Sequence, residues 1–230
     1  MTILLYDLVG RDEKLPYSPH CWKAKMALAH KGLAFETLPT RFLDIAQVEN
    51  GLSKTVPVIR DGDRAVADSF AIALHLEGAY PDRPTLFGGE GGKAMARFVE
   101  RWTQITMHPF ITTAIVFDIF QMQDERNVPY FRSSREARLG KRLEDVSAAR
   151  DAGLGAFRAS LEPLRSTLSY QPYLGGHSPL FADYIVFGAL QWARVSSPYS
   201  LLDHDDPIDE WFRRCLGLFG GLGAGVPAAA

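Results

Sequence analysis

The stretch Leu15-Pro16-Tyr17-Ser18-Pro19-His20-Cys21-Trp22-Lys23 decides how the rest of the chain is read. Ser18 is a good N-cap, and Pro19 falls at the first helical position, where its missing N–H would be unpaired in any case. A helix that starts here exposes free N–H groups and a partial positive charge of about half an electron. Both stabilise an anion, and a serine hydroxyl at the cap can donate to a bound thiolate and lower that thiol's pKa. Ser18-x-x-Cys21 is also the pattern of a redox Cys-x-x-Cys site whose first, nucleophilic cysteine has become serine. The replacement removes dithiol chemistry and keeps a place shaped for sulfur. Each residue alone has an ordinary reading too: Ser18-Pro19 as a plain cap, Cys21 as a small buried side chain, and His20 as surface decoration or as a base.

Working outward, Thr2 to Val9 has the length of a short apolar strand. Ser18 to Lys31 interleaves Trp22, Met26, Leu28 and Ala29 with Lys23, Lys25 and Lys31, an amphipathic helix closed by Gly32. Phe35 to Phe42 alternates like a half-buried strand, and Asp44 to Leu52 reads as a short helix capped by Asp44. Val56 to Arg60 and Arg64 to Ala67 flank Asp61-Gly62, a strong hairpin signal. Asp68 or Ser69 then caps a helix from Phe70 to Tyr80 that ends at Pro81. The order is βαβαββα, with a right-handed parallel crossover first and an antiparallel hairpin last.

Two further signals fall in this segment. Val56-Pro57 opens the third strand, where proline is tolerated; a cis bond there would present the Val56 N–H and C=O to a ligand. Asp68-Ser69 places a carboxylate and a hydroxyl beside free N–H groups, which suits the amino acid end of a peptide ligand and is equally an ordinary capping pair.

Pro81, Pro84 and the cluster Gly88, Gly89, Gly91, Gly92 mark a composition break. The expected division is a mixed α/β domain over 1–82, a linker over 83–92, an all-α domain over 93–220 and a frayed tail over 221–230. In the second domain, Lys93 to about Gln123 is one helical pattern kinked or split by Pro109. Ser134 to Leu168 is helical with a break near Gly153 and Gly155. Phe181 to Arg194 is nearly apolar all round, hence a buried helix, and Pro207 to Leu218 is a final amphipathic one.

The chain has 230 residues, 47% of them hydrophobic and 23% charged, which excludes the disordered, collagen-like and disulfide-scaffold classes. A net charge of -2 argues against a dedicated nucleic-acid partner. Cys21 and Cys215 cannot build a disulfide framework, and no segment reads as a leader, so a reducing compartment, the cytoplasm, is expected. The longest apolar run, Leu180 to Ala193, is interrupted by Asp183 and Gln191 and falls short of the roughly 20 residues of a membrane span.

Taken together, the strand, the Ser-Pro-x-Cys-x-Lys helix, Val-Pro, Asp-Ser and the following helical domain resemble the glutathione S-transferases over about residues 2 to 218. Tyr17-Ser-Pro-His-Cys-Trp-Lys-Ala-Lys-Met-Ala-Leu-Ala-His-Lys-Gly32 and Phe181-Ala-Asp-Tyr-Ile-Val-Phe-Gly188 are particularly similar to the bacterial glutathione-dependent β-etherases and their fungal serine-type relatives. The resemblance implies a thioredoxin-like domain followed by a helical bundle, as a homodimer, with glutathione as co-substrate and no metal. It implies that Ser18 stabilises the glutathione thiolate and that Val56, followed by cis Pro57, pairs its backbone with the cysteinyl part. Asp68 and Ser69 would hold the γ-glutamyl group, and Asp183 would be the buried capping aspartate of the second domain. Leu180 stands where that aspartate's usual Ser or Thr partner would be, so the capping box is expected to be incomplete or rebuilt. The long loop Gly10 to Pro16 also departs from the family pattern and is expected to border the site.

The chemistry so implied is attack by glutathione thiolate on an electrophilic carbon in an apolar pocket between domains. Trp102, Met107, His108, Phe110 and Ile111 are the candidate walls; each has core packing as its ordinary reading. Displacement of a phenol from a β-aryl ether is one such reaction. The rival readings are a general transferase or glutathione-dependent isomerase, a non-catalytic binding or stress module, and a thiol oxidoreductase using Cys21.

Overall fold

The computed structural model describes residues 2–230; Met1, where the expected first domain begins, lies outside them. β1 (Ile3–Leu8) is an inner strand of a four-stranded sheet of order β2-β1-β3-β4. It pairs in parallel with β2 (Phe35–Thr40), from Ile3 opposite Phe35 to Leu8 opposite Thr40. It pairs antiparallel with β3 (Val58–Asp61), which turns back into β4 (Arg64–Ala67). A parallel pair needs a crossover, and α1 (Pro19–His30) supplies it. α2 (Ser69–Ala79) closes the unit.

Between β2 and β3 the chain forms a 3-10 segment, Phe42–Gly51, in place of the helix expected from Asp44. Asp44 does not cap it; its carboxylate meets Arg126 of the second domain instead. The segment is broken at Val48–Asn50, where Glu49 and Asn50 take φ of +47° and +57°. Glu49 is tied back to the sheet by the Tyr6 hydroxyl, which donates at 2.7 Å, and by Arg60.

α1 departs from its expected amphipathic character. It lies between the sheet and α9 (Phe181–Ser196), so its lysines are buried rather than solvated. Each is paired: Lys23 with Glu100 at 3.4 Å, Lys25 with Asp7 at 2.5 Å and Lys31 with Glu77 at 2.8 Å. A buried ammonium without such a partner would cost several kcal/mol, on the order of a lost charge pair.

Within the segment expected as a linker, two residues are packed into the core while most of their neighbours are exposed. Leu86 and Phe87 are buried, and Phe87 stacks on Phe70 and meets Phe181 edge-on. The Leu86 carbonyl accepts from Phe181 N–H at 2.8 Å. These are the two large apolar residues of a Gly/Pro stretch, and burial rather than backbone freedom decides their placement.

The predicted long helix is α3 (Glu90–Trp102), a π-helical turn (Thr103–Met107) and α4 (His108–Gln121). Pro109 lies in the first turn of α4, where it needs no N–H. α5 (Val128–Leu139), α6 (Leu143–Ala148), α7 (Arg150–Ser160) and α8 (Glu162–Tyr170) follow. Gly153 and Gly155 lie inside α7 and break nothing; a Cβ on Gly153 would come within 2.9 Å of the Phe110 ring, so this glycine serves close packing. α9 is buried on nearly every side, as its composition demands, and α10 (Pro207–Leu216) and α11 (Leu218–Gly221) cover it.

The tail is not frayed. The Arg194 guanidinium donates to the Val226 carbonyl at 2.8 Å, Gln191 donates to Gly223, and Ala229 N–H returns to the Arg194 carbonyl. Its Gly/Ala backbone is held by donors on α9, which composition alone does not reveal.

Candidate active site

Ser18 has extended backbone (φ -61°, ψ 125°) and caps α1, its Oγ accepting from Cys21 N–H at 3.2 Å. It is buried yet lines a cavity of about 410 Å³ between the sheet domain and the helices. With that bond accepted, the hydroxyl hydrogen is free to donate into the cavity. The turn is fixed by Tyr17 N–H on the Leu8 carbonyl at 3.2 Å and by the Trp22 indole on the Pro16 carbonyl at 3.0 Å. Gly188 of α9 completes the seat, because a Cβ there would lie 2.3 Å from the Pro19 carbonyl oxygen. Tyr17 also lines the cavity; burial pushes its phenol well up, and it accepts from Gln123 at 3.1 Å.

Val56 lies on the cavity wall, buried, followed by a cis bond to Pro57. Among the described residues its N–H and C=O make no hydrogen bond within the chain. The Pro57 carbonyl accepts from Asp68 N–H at 3.2 Å, which ties the third element of the site to the second. Asp68 takes φ +77° with ψ 129°, outside the left-handed helical well, so its backbone is strained and is held by the bonds around it. Its Oδ1 accepts from Phe70 and Ala71 N–H, both at 2.9 Å, so Asp68 rather than Ser69 is the cap of α2. Asp68 is exposed and Ser69 is buried beside it at the helix start; neither lines the cavity, and the Asp68–Pro57 hydrogen bond is what connects them to Val56 on its wall.

Cys21 points away from this chemistry. It is fully buried, with Sγ 3.8 Å from the Tyr6 carbonyl, and burial followed by the Asp7 charge pushes its thiol well up. His20 does line the cavity, with its ring centroid 5.4 Å from that of His108, which in turn faces Trp192 at 5.7 Å. Burial, then the Lys23 charge, lowers both imidazoles, His108 to about 4. The pair is therefore neutral at pH 7, and His108 Nε2 is buried with no partner among the described residues.

Of the five expected wall residues, His108 alone lines the cavity. Met107 and Ile111 are fully buried in the core, Phe110 stacks on Phe157 at 4.6 Å, and Trp102 packs partly buried against the core edge. The face of α4 that meets the cavity is His108, Thr112, Val116 and Ile119, spaced as one helical stripe. Sequence reasoning missed Phe42, Phe131, Trp192, Lys54, Arg135 and Arg138, all on the cavity wall. Phe131, Arg135 and Arg138 share one face of α5 by their i, i+4, i+7 spacing, a signal the sequence did carry. The loop Gly10 to Pro16 is pinned to the end of α4 through Arg11 N–H on the Met122 carbonyl at 2.8 Å, and does not line the cavity. Asp183 completes half of a capping box: it accepts from Leu180 N–H at 2.9 Å, while its own N–H goes to the Leu180 carbonyl because leucine has no side-chain acceptor.

Among the described residues no group of three or more His, Cys, Asp or Glu is placed to hold a metal ion, and no helix is long and apolar enough to cross a membrane.

A serine cap at a helix start on the cavity wall, a valine whose backbone is unpaired before a cis proline, and an Asp-capped helix tied to that proline face a helical bundle across the cavity, and together define a two-domain protein with one shared cleft. Residues 14–84 match the glutathione S-transferase N-terminal domain and residues 94–216 the glutathione S-transferase C-terminal domain. The chain belongs to the glutathione S-transferase family. It is similar to a glutathione S-transferase-like protein, ustS, of Aspergillus flavus, 26% identical over 207 residues that span 77% of this chain and 74% of that one. Glutathione transferase GSTFuA3 of Phanerochaete chrysosporium has a crystal structure 27% identical to it, with a TM-score of 0.79 over 100% of this chain and 99% of that one. A glutathione S-transferase of Ceriporiopsis subvermispora, solved in complex with glutathione, is 24% identical with a TM-score of 0.83, covering 95% and 96% of the two chains, and shares the fold.

Proposed function

We propose that the protein binds glutathione along Ser18, Val56 and the Asp68-Ser69 pair and activates its thiolate for attack on an aromatic or otherwise apolar electrophile. The observation that carries this reading is Ser18, a cap residue buried at the cavity wall with a hydroxyl hydrogen free to donate. Free thiols have a pKa near 8.5, so only a few per cent ionise at neutral pH, and each unit of depression favours the anion by about 1.4 kcal/mol. The Ser18 hydroxyl and the positive end of α1 supply that bias. The unpaired Val56 N–H and C=O suit the cysteinyl backbone of the peptide. Asp68 keeps Oδ2 free of bonds to the described residues, which suits the γ-glutamyl ammonium, and Lys54 on the rim suits a carboxylate. The complex of the Ceriporiopsis subvermispora protein with glutathione supports the same ligand here.

Phe42, Phe131 and Trp192 favour an aryl group in the cavity. Cleavage of a β-aryl ether fits: the thiolate forms the new carbon–sulfur bond, the carbon–oxygen bond breaks, and the phenolate leaves and takes a proton from water. A burial-raised Cys21 thiol speaks against the thiol oxidoreductase reading. Met95, Phe98 and Ile105, exposed along one face of α3 and the π turn, support a homodimer, and the cytoplasm supplies the reduced glutathione. Turnover of a chromogenic aryl halide and of a β-aryl ether dimer, each with and without glutathione, tests the reading. Glutathione-dependent turnover that falls about a hundredfold in Ser18→Ala supports it, on the scale of losing one transition-state donor. Unchanged turnover in that variant rejects it.

A further inference from the structure

The cavity carries a charge imbalance. Lys54, Arg135 and Arg138 line it, and no Asp or Glu among the described residues does. Elsewhere in the helical domain, arginines at partly buried positions meet carboxylates: Arg150 meets Asp118, Arg158 meets Asp203, and Arg165 meets Asp206. The contrast holds within α5 itself. Arg132, turned away from the cavity, is held by Glu136 and Glu144, both at 2.8 Å. Arg135 and Arg138, turned toward it, have no carboxylate within ion-pair distance among the described residues; Arg135 donates to the Ser134 hydroxyl, at 2.9 Å.

Arg135 is also held in place. Its guanidinium carbon lies 4.6 Å from the centre of the Phe42 ring and 4.5 Å from that of Phe131, so two aromatic faces fix the plane of the group. Burial, then the neighbouring Arg138 charge, disfavours the Arg135 cation. An oriented, partly desolvated cation with unused donors is a group prepared for an anion, since a planar fork of N–H donors matches a carboxylate. The deeper wall, with Ile45, Val116 and Ile119, is apolar.

We infer that Arg135, with Arg138 beside it, recognises a carboxylate on an otherwise apolar or aromatic electrophile, so that the preferred second substrate is an amphipathic organic acid. As a statement about the electrophile this rests on the proposed transferase reading; as a statement about binding it does not.

The test is binding to the glutathione-saturated protein of 2-naphthoate and of 2-naphthamide, which differ only in the charged group. Quenching of tryptophan fluorescence reports on Trp192 in the cavity wall, with calorimetry as a second readout. The naphthoate binds about tenfold tighter, the scale of a charge-assisted hydrogen-bonded pair after desolvation, and the preference shrinks with added salt. Arg135→Gln removes most of that preference while amide affinity is unchanged, which shows that the cavity is intact; Arg135→Lys retains part of it. Equal affinities in the unaltered protein overturn the inference. So does an Arg135→Gln variant that weakens both ligands alike, or one that weakens glutathione and spares the naphthoate, which would assign the arginine to the peptide's own carboxylate. Ser18→Ala keeps the naphthoate preference, so failure of the thiolate reading and failure of this one give different results.

Discussion

Replacing Asp183 with alanine removes the acceptor on which the start of α9 is organised. Its carboxylate is fully buried and receives four donors: Leu174 N–H at 2.7 Å and the Trp211 indole at 3.0 Å on Oδ1, and Gly175 and Leu180 N–H, both at 2.9 Å, on Oδ2. Burial pushes the carboxyl above its usual range, and the four donated bonds oppose that push. Alanine leaves all four donors without a partner. A buried donor stranded in this way costs about 1–3 kcal/mol. Only the Trp211 indole belongs to a fully buried residue, and the three backbone groups sit on a half-buried turn that water reaches in part. The expected loss is therefore about 3–5 kcal/mol, at the extreme of single substitutions. Asp183→Asn keeps the volume and one oxygen but turns an NH2 group toward two N–H donors, so about half of that loss is expected. Urea titration at fixed protein concentration, followed by tryptophan fluorescence, measures both. A loss under about 1 kcal/mol for alanine with an unchanged m-value would refute the claim that this carboxylate organises the start of α9.

Three other outcomes follow from the same geometry. Gly188→Ala puts a methyl group against the Pro19 carbonyl, whose oxygen lies 2.3 Å from where that methyl carbon would sit, and overpacking of this kind costs about 1–3 kcal/mol. It also displaces the turn that carries Ser18, so turnover falls as well; a variant with full stability and full activity would show that the contact does not seat α1. For His108 the folded pKa of about 4 lies below the unfolded value near 6.5, so its contribution to stability is complete above pH 6.5 and is lost as pH falls toward 4, by at most about 3 kcal/mol. Denaturation midpoints across that range fall less steeply for His108→Gln than for the unaltered protein, and parallel slopes would contradict the assignment. Cys21, fully buried, reacts with a thiol reagent only at the rate of unfolding; prompt modification of the native protein would reopen the oxidoreductase reading.

How much was legible in the sequence depends on how local the cause is. The Ser18 cap, the Asp68 cap and the hairpin at Asp61-Gly62 are set by residues within one turn of each other, and they stand where the pattern put them. Lys23 and Lys25 looked like a solvated face because nothing in α1 itself announces that Glu100 and Asp7 wait on both sides of it. The cavity wall was misplaced for a similar reason. Reading residues 102–111 as one continuous run mixes two faces of α4; after the π turn only the stripe through His108, Thr112, Val116 and Ile119 meets the cavity, while Met107 and Ile111 turn to the core. Leu86 and Phe87 were hidden by their Gly/Pro surroundings, and the tail by donors on α9 that lie far back along the chain (Arg194 to Val226).

The central claim is that Ser18 and the start of α1 hold the glutathione sulfur as a thiolate. Titration of the bound thiol by its ultraviolet thiolate absorbance, in the unaltered protein and in Ser18→Ala, measures this without any electrophile. The account predicts a bound pKa at least about one unit below the free value near 8.5, moving back toward it in the variant while glutathione still binds. A bound thiol that titrates with the same pKa in both proteins would contradict it.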